Sequence, residues 1–368
     1  MASDLEAFMA TMVAASTPVS CRDAETLARE HYSLDVTATR LTGERDENFK
    51  LSCADGRKYV LKIANPAEAS DVTALPTAAL LHVERADPGF PCPRVLRNLG
   101  GLTYSTYRDD SGSQRTARIL TYLHGKTLRS SARSREQRAA SGRMAARLGL
   151  ALRTFSHPAA ERPLIWDLKH VGRTLALLEE LDDFPEKDTV AALILRIDAR
   201  IHGEFGNLRQ QVVHNDLNNM NVLVDPDDEN AVVGVIDFGD LVYTALVADV
   251  AILAADQIDI AQAPRDSIND VVMAYHATTP LQPQELAMLN TLIAGRLLTD
   301  VLIASWHRRR NPAGTHYADL AREFVSARVR LASEILELEA CSPDALTADA
   351  SSSAAATGSP RRFPGSKQ

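Results

Sequence analysis

Apolar residues along this chain first recur in short runs broken by turns and then, beyond about residue 125, in longer stripes at helical spacing. TATRLT, NFKLSC and KYVLKI are separated by GERDE and ADGR, a pattern that predicts antiparallel strands joined by tight turns. YSTYRDD and QRTARILTYL supply further strands, and PGFPCPRVL reads as a proline-restricted approach to another. Ahead of them, CRDAETLAREHY has apolar positions near helical spacing, while residues 1–20 read as a flexible leader or a short helix. Between Asp71 and Val83 the spacing is again helical, but Pro76 has no amide hydrogen, so that helix is expected to begin near Pro76.

After the turn at Leu123, His124 and Gly125, the stretches REQRAASGRMAARLGLALRTF, TLALLEEL and TVAALILRIDARIHGEF predict helices. VVHNDLNNMNVLVDPDDENAVVGVIDFGD reads as a strand, a polar loop and two more strands, which presents charged groups at strand ends. LVYTALVADVAILAADQI, ELAMLNTLIAGRLLTDVLIASWHRR and the region from Asp319 to Leu338 are expected as supporting helices. The expected class is α+β and bilobal, with a small antiparallel-sheet N-lobe over residues 21–125 and a mainly helical C-lobe over 126–340. Residues 341–368 lack an apolar repeat and read as a flexible tail.

With 45% hydrophobic and 24% charged residues, 368 residues can bury a substantial core. The balance of 40 Lys plus Arg against 48 Asp plus Glu gives a net charge of −8, which weighs against a nucleic-acid partner. Cys21, Cys53, Cys92 and Cys341 are scattered without metal-ligand spacing and read as structural thiols. Apolar runs stay short of the roughly 20 residues needed to cross a bilayer, so no membrane partner is expected and a cytoplasmic location is the default.

The densest chemistry lies in His214-Asn215-Asp216-Leu217-Asn218-Asn219-Met220-Asn221, followed sixteen residues later by Asp237-Phe238-Gly239. Asp216 can accept a proton from a hydroxyl, Asn221 can offer its carbonyl oxygen to a divalent cation, and Asp237 can bind a cation that bridges phosphate oxygens. Magnesium suits such oxygen donors because it is small and hard. An isolated Asp-Phe-Gly is an ordinary turn; joined to the upstream cluster at this spacing it points to phosphoryl transfer. Gly43, Glu44, Arg45 and Asn48 lie between two predicted strands and can fold over a nucleotide, with Gly43 removing side-chain bulk.

From Thr39 through Asp256 the chain resembles the aminoglycoside phosphotransferase and choline-kinase superfamily, with closer similarity to hydroxylysine kinase-like proteins. HNDLNNMN departs from the common HGD form at Asn215. The resemblance implies that His214 organises the catalytic loop, Asp216 orients or deprotonates the acceptor, and Asn221 and Asp237 hold Mg2+. It implies further that Lys62 neutralises phosphate charge on the lysine-bearing strand and that Tyr122 and Leu123 form an interlobe hinge for the base of ATP or GTP. In this register Pro76 stands where an acidic partner of Lys62 would be, leaving Glu68 and Glu84 as alternatives.

Asp240, Asp249 and Asp256 offer negative charge to an amine-bearing acceptor, and Arg296 and Trp306 offer carboxylate and alkyl contacts. The resemblance makes 5-hydroxy-L-lysine the named acceptor within a class of small hydroxylated amines and amino acids, and it favours a homodimer. Homoserine, choline, ethanolamine and aminoglycoside kinases remain alternatives, as does a nucleotide-binding scaffold without catalysis. A protein kinase fits less well, because no glycine-rich loop of that type and no APE-ended activation segment are present.

Overall fold

The computed structural model describes residues 18–43, 45–109, 112–259, 264–310 and 322–338. Residues 1–17 of the expected leader, Glu44 and the expected tail from residue 341 lie outside these. Helix α1 (Cys21–Tyr32) starts at a capping box in which Ser20 Oγ accepts the Asp23 N–H and the Asp23 carboxylate accepts the Ser20 N–H. Strands β1 (Val36–Leu41), β2 (Glu47–Cys53) and β3 (Lys58–Ile63) follow, then helix α2 (Ser70–Ala86), β4 (Ser105–Arg108) and β5 (Gln114–Thr121). The five strands form one antiparallel sheet in the order β1-β2-β3-β5-β4. Phe49, Leu51, Leu61, Ile63 and Ile119 share a buried cluster with Leu27 and Ala28 of α1. Across the strands Asn48 pairs with Lys62 and Lys62 with Arg118. Directly opposed residues share a face, so these three polar side chains stand together on the sheet.

Two expectations for this region need correction. Helix α2 begins at Ser70, not near Pro76, and carries Pro76 inside it. The proline costs one intrahelical hydrogen bond, and one turn earlier the Thr73 carbonyl takes a bond from the Arg118 guanidinium at 3.1 Å. PGFPCPRVL, expected to lead into a strand, contributes only an isolated bridge between Val95 and Leu120, because its prolines remove ladder donors.

The larger part begins with β6 (Lys126–Thr127) and continues through α3 (Arg135–Leu152), α4 (Leu175–Glu179) and α5 (Lys187–Glu204). Strands β7 (Gln210–Val213), β8 (Val222–Val224), β9 (Val232–Val235) and β10 (Val242–Ala245) follow. Helices α6 (Val247–Gln257), α7 (Pro264–Thr278), α8 (Pro283–Arg310) and α9 (Arg322–Glu337) close the described chain. β6, β8 and β9 form one small sheet and β7 pairs with β10. Residues 241–258, expected as a single helix, divide into β10 and α6. The run is largely apolar, so periodicity does not distinguish its halves; pairing of Val242 with Val213 makes the first half a strand. α7 is an element the apolar pattern did not reveal.

One core cluster joins α2, through Leu75, Ala79 and Val83, to α3, α6, α7 and α8. α8 is long and apolar enough to cross a membrane, yet 89% of its apolar window is buried inside the protein. α3 and α7 pack so closely that a Cβ on Gly142 would lie 2.3 Å from the Val271 carbonyl oxygen. Backbone cannot withdraw as a flexible side chain can. Gly142→Ala is therefore expected to lower the urea midpoint, although alanine in a helix interior ordinarily adds roughly 0.5–1 kcal/mol of stability.

Candidate active site

β7 ends in a turn whose backbone is held from below by α6. Asn215 adopts the left-handed conformation at φ 63°, which asparagine tolerates better than most residues and glycine tolerates best. The buried Asp249 carboxylate accepts the His214 N–H at 3.0 Å and the Asn215 N–H at 2.7 Å. Burial pushes this carboxyl up to about 6, against the pull of the two N–H groups. His214 is fully buried, with Nε2 3.1 Å from the Ile236 carbonyl and Nδ1 accepting the Asp216 N–H at 3.3 Å. Its ring meets Phe238 edge to face at 4.9 Å between centroids. Burial pushes its pKa down to about 4, so the ring is neutral at pH 7.

The turn delivers Asp216 to a network of amides. Asn218 Nδ2 donates to Asp216 Oδ1 at 2.7 Å and Asn221 Nδ2 to Asp216 Oδ2 at 2.6 Å. The Asn221 amide nitrogen is thereby committed to Asp216, and its carbonyl oxygen remains as a donor for a cation. Asp237 follows β9 in a left-handed conformation at φ 58°. Lys62 Nζ reaches Asp237 Oδ1 at 3.0 Å, and this ammonium holds the carboxyl well below the usual carboxylate range. The acidic partner of Lys62 is therefore Asp237. Glu68 faces Arg45 at 3.7 Å instead, and Arg45 also pairs with Asp240 across the cleft.

Two cavities meet at Asp216. The first, of about 510 Å³, is lined by Gly43, Arg45, Asn48, Lys62, Tyr122 and Leu123 on one side and by Asn221 and Asp237 on the other. The second, of about 670 Å³, is bounded by Trp166, Asp256, Arg296, Asp300 and Arg328. Thr42, Asp216, Asn218, Met220 and Asp240 border both. In the first cavity Asn221 and Asp237 offer hard oxygen donors of the kind that would hold Mg2+. No cluster of three or more His, Cys, Asp or Glu suited to a metal occurs among the described residues.

Among the described residues, the expected set lines one cavity or the other with three exceptions, the first being His214, which is buried behind the turn. Asp249 clasps the catalytic turn from beneath and lines neither cavity, because its oxygens are taken by backbone amides. Trp306 is buried among Ile165, Leu177 and Ile303 and donates Nε1 to Glu180 at 2.9 Å. The indole on the second cavity is Trp166, which lies 4.9 Å from the Arg296 guanidinium. Sequence reasoning also passed over Arg118, which joins the Thr73 carbonyl to Asp46 in the loop between β1 and β2. Asp300 had a visible signal, since it lies one turn from Arg296 in a largely apolar stretch of α8 and pairs with it at 2.8 Å.

Residues 37–288 match the phosphotransferase enzyme family, APH. The chain belongs to that family. A phosphotransferase relative, hydroxylysine kinase of Mus musculus, is 27% identical over 75% of this chain and 79% of its own length. Homoserine kinase of Methylobacillus glycogenes is 28% identical over 67% of this chain and 72% of its own. Among solved structures, amicoumacin kinase in complex with AMP-PNP, Ca2+ and Ami superposes with a TM-score of 0.65 at 16% identity, covering 88% of this chain and 96% of that one. The phosphotransferase fold is bilobal, with a small antiparallel N-terminal sheet and a largely helical remainder, and is consistent with ATP and Mg2+ use. At the level of the family, the chain is a kinase acting on a small molecule.

The turn yields two stability predictions. Both polar atoms of the buried Asn215 amide lack a hydrogen-bond partner among the described residues. Asn215→Gly removes that buried amide and relieves the left-handed residue, and is expected to raise unfolding free energy by about 1 kcal/mol in chemical denaturation. His214 has a folded pKa below its unfolded value, so its contribution is present above about pH 6.5 and is lost as pH falls toward 4. The stability advantage of wild type over His214→Gln is therefore expected to shrink by roughly 2–4 kcal/mol across that window. Paired denaturation curves at successive pH values measure this difference, in which the opposing titration of Asp249 is common to both proteins.

Proposed function

We propose that this chain transfers the γ-phosphate of ATP or GTP to the side-chain hydroxyl of 5-hydroxy-L-lysine. The observation that carries the reading is the position of Asp216 at the junction of the two cavities, one with the character of a nucleotide site and the other walled by charged side chains. In the reaction the acceptor oxygen bonds to the γ-phosphorus as the bond to the β–γ bridging oxygen breaks, and the hydroxyl proton passes to the Asp216 carboxylate. Asn218 and Asn221 fix the orientation of that carboxylate. Lys62 offers its ammonium to phosphate oxygens, and Tyr122 and Leu123 border the base. Asn221 and Asp237 would hold Mg2+, which supplies charge neutralisation and alignment of the phosphates when bound.

Support for the acceptor comes from the hydroxylysine kinase relatives, of which Mus musculus, Bos taurus and Danio rerio representatives each align over about three quarters of this chain or more. The homoserine kinase relatives support a second reading, in which the acceptor is a shorter hydroxy amino acid. Incubating purified protein with hydroxylysine, homoserine and a panel of amino alcohols, each with ATP and with GTP, tests these directly by mass detection of the phosphorylated acceptor. Phosphorylated hydroxylysine as the dominant product is the expected result; nucleotide hydrolysis without acceptor phosphorylation contradicts the reading. Asp216→Asn is expected to lower kcat by roughly 10²–10⁴-fold while nucleotide still binds, whereas Asp237→Ala is expected to raise the Mg2+ concentration needed for half-maximal activity.

A further inference from the structure

The second cavity is bordered by a series of opposite charges that is closed at one end and open at the other. Arg296 Nη2 lies 3.4 Å from Asp216 Oδ1, and Arg296 Nε lies 2.8 Å from Asp300 Oδ1. Arg328 Nη1 takes the other Asp300 oxygen at 3.2 Å. The next step differs: Arg328 Nη2 and Asp256 Oδ1 are 3.8 Å apart, beyond the length of an N–H···O hydrogen bond. The second Asp256 oxygen is held by the Asn219 N–H at 2.8 Å, and the Arg328 guanidinium is braced over the Phe324 ring at 5.1 Å. Both groups are therefore fixed from behind, and both line the cavity.

A fixed guanidinium beside a fixed carboxylate matches a ligand that carries an anion and a cation on neighbouring atoms. A simple anion would satisfy Arg328 but oppose Asp256, and a simple amine would do the reverse; only a zwitterion pairs with both. A polycation gains little here, because Asp216 and Asp300 each already face a guanidinium.

We propose that Arg328 binds the α-carboxylate and Asp256 the α-ammonium of a free amino acid acceptor. The contacts run from Arg328 through Asp300 and Arg296 to Asp216, so the carboxylate and the reacting hydroxyl are separated by two side chains. That separation suits a hydroxyl placed well along the acceptor side chain better than one on the β-carbon. The assignment rests on the reading of this chain as a kinase of a hydroxylated amino acid, and it names the residues that set that preference.

The test compares 5-hydroxylysine, its decarboxylated diamino alcohol and its α-N-acetyl derivative as acceptors, using the full chain with ATP and Mg2+. Wild type is expected to prefer hydroxylysine to the decarboxylated compound by about tenfold or more in kcat/KM. Arg328→Leu is expected to erase that preference mainly through the acceptor KM, with the nucleotide KM moving less, and Arg328→Lys to restore part of it. Asp256→Asn is expected to weaken discrimination against the α-N-acetyl compound. Because Asp256 also supports Asn219, the Arg328 pair decides the outcome if the Asp256 variant does not fold. Equal use of the decarboxylated compound by wild type, or an unchanged preference in Arg328→Leu, overturns the inference and leaves the kinase reading standing. Transfer to another hydroxy amino acid with the same dependence on Arg328 upholds the inference and replaces only the named acceptor. Transfer to no amine or amino acid overturns both.

Discussion

A buried carboxylate on α6 fixes the turn on which the proposed chemistry depends. Asp249 draws the His214 and Asn215 amides onto its two oxygens and so holds the chain in a turn that requires a left-handed residue. Asp216 emerges from that turn, and its side chain is then oriented by Asn218 and Asn221. The neutral His214 ring completes the support by joining the turn to the Ile236 carbonyl and the Phe238 ring. A carboxylate in this position is costly to desolvate, and two short backbone N–H contacts offset much of that cost. The side chain that sustains the catalytic turn therefore never touches either cavity.

Around the cleft, opposite charges answer one another across elements far apart in the chain. Lys62 from the first sheet meets Asp237 after β9, Arg45 from the loop between β1 and β2 meets Asp240, and Arg296 from α8 meets Asp216. Such pairs limit the penalty of burying charge. They add polar ties to the apolar cluster that already joins Leu120 of the first sheet and α2 to the helical part. Arg118 extends the same logic within the smaller part, linking Asp46 to the Thr73 carbonyl in a helix that Pro76 interrupts.

Local pattern carried the first sheet well. The strand Lys58–Ile63 and the helix Cys21–Tyr32 match the elements expected from alternation and helical spacing, because each has a period that one buried face enforces. The spacing of Asp216, Asn221 and Asp237 marked the polar loop as a candidate site, and the structure brings these three side chains to one cavity. Pattern failed where an apolar run had no internal period, as in Val242–Ala245, whose state depends on pairing with β7. It failed also for Asp249 and Trp306, whose residue types suit a substrate pocket as readily as a buried support.

The sequence by itself determined that this is a two-part α+β chain and which oxygen-bearing side chains are candidates for phosphoryl transfer, because periodicity and spacing are local properties. Only the tertiary structure decided which of those side chains meet. Lys62 lies 175 positions from Asp237, and Arg328 lies 72 from Asp256. Contacts over such separations are chosen by the packing of whole elements, and no local run of residues encodes them.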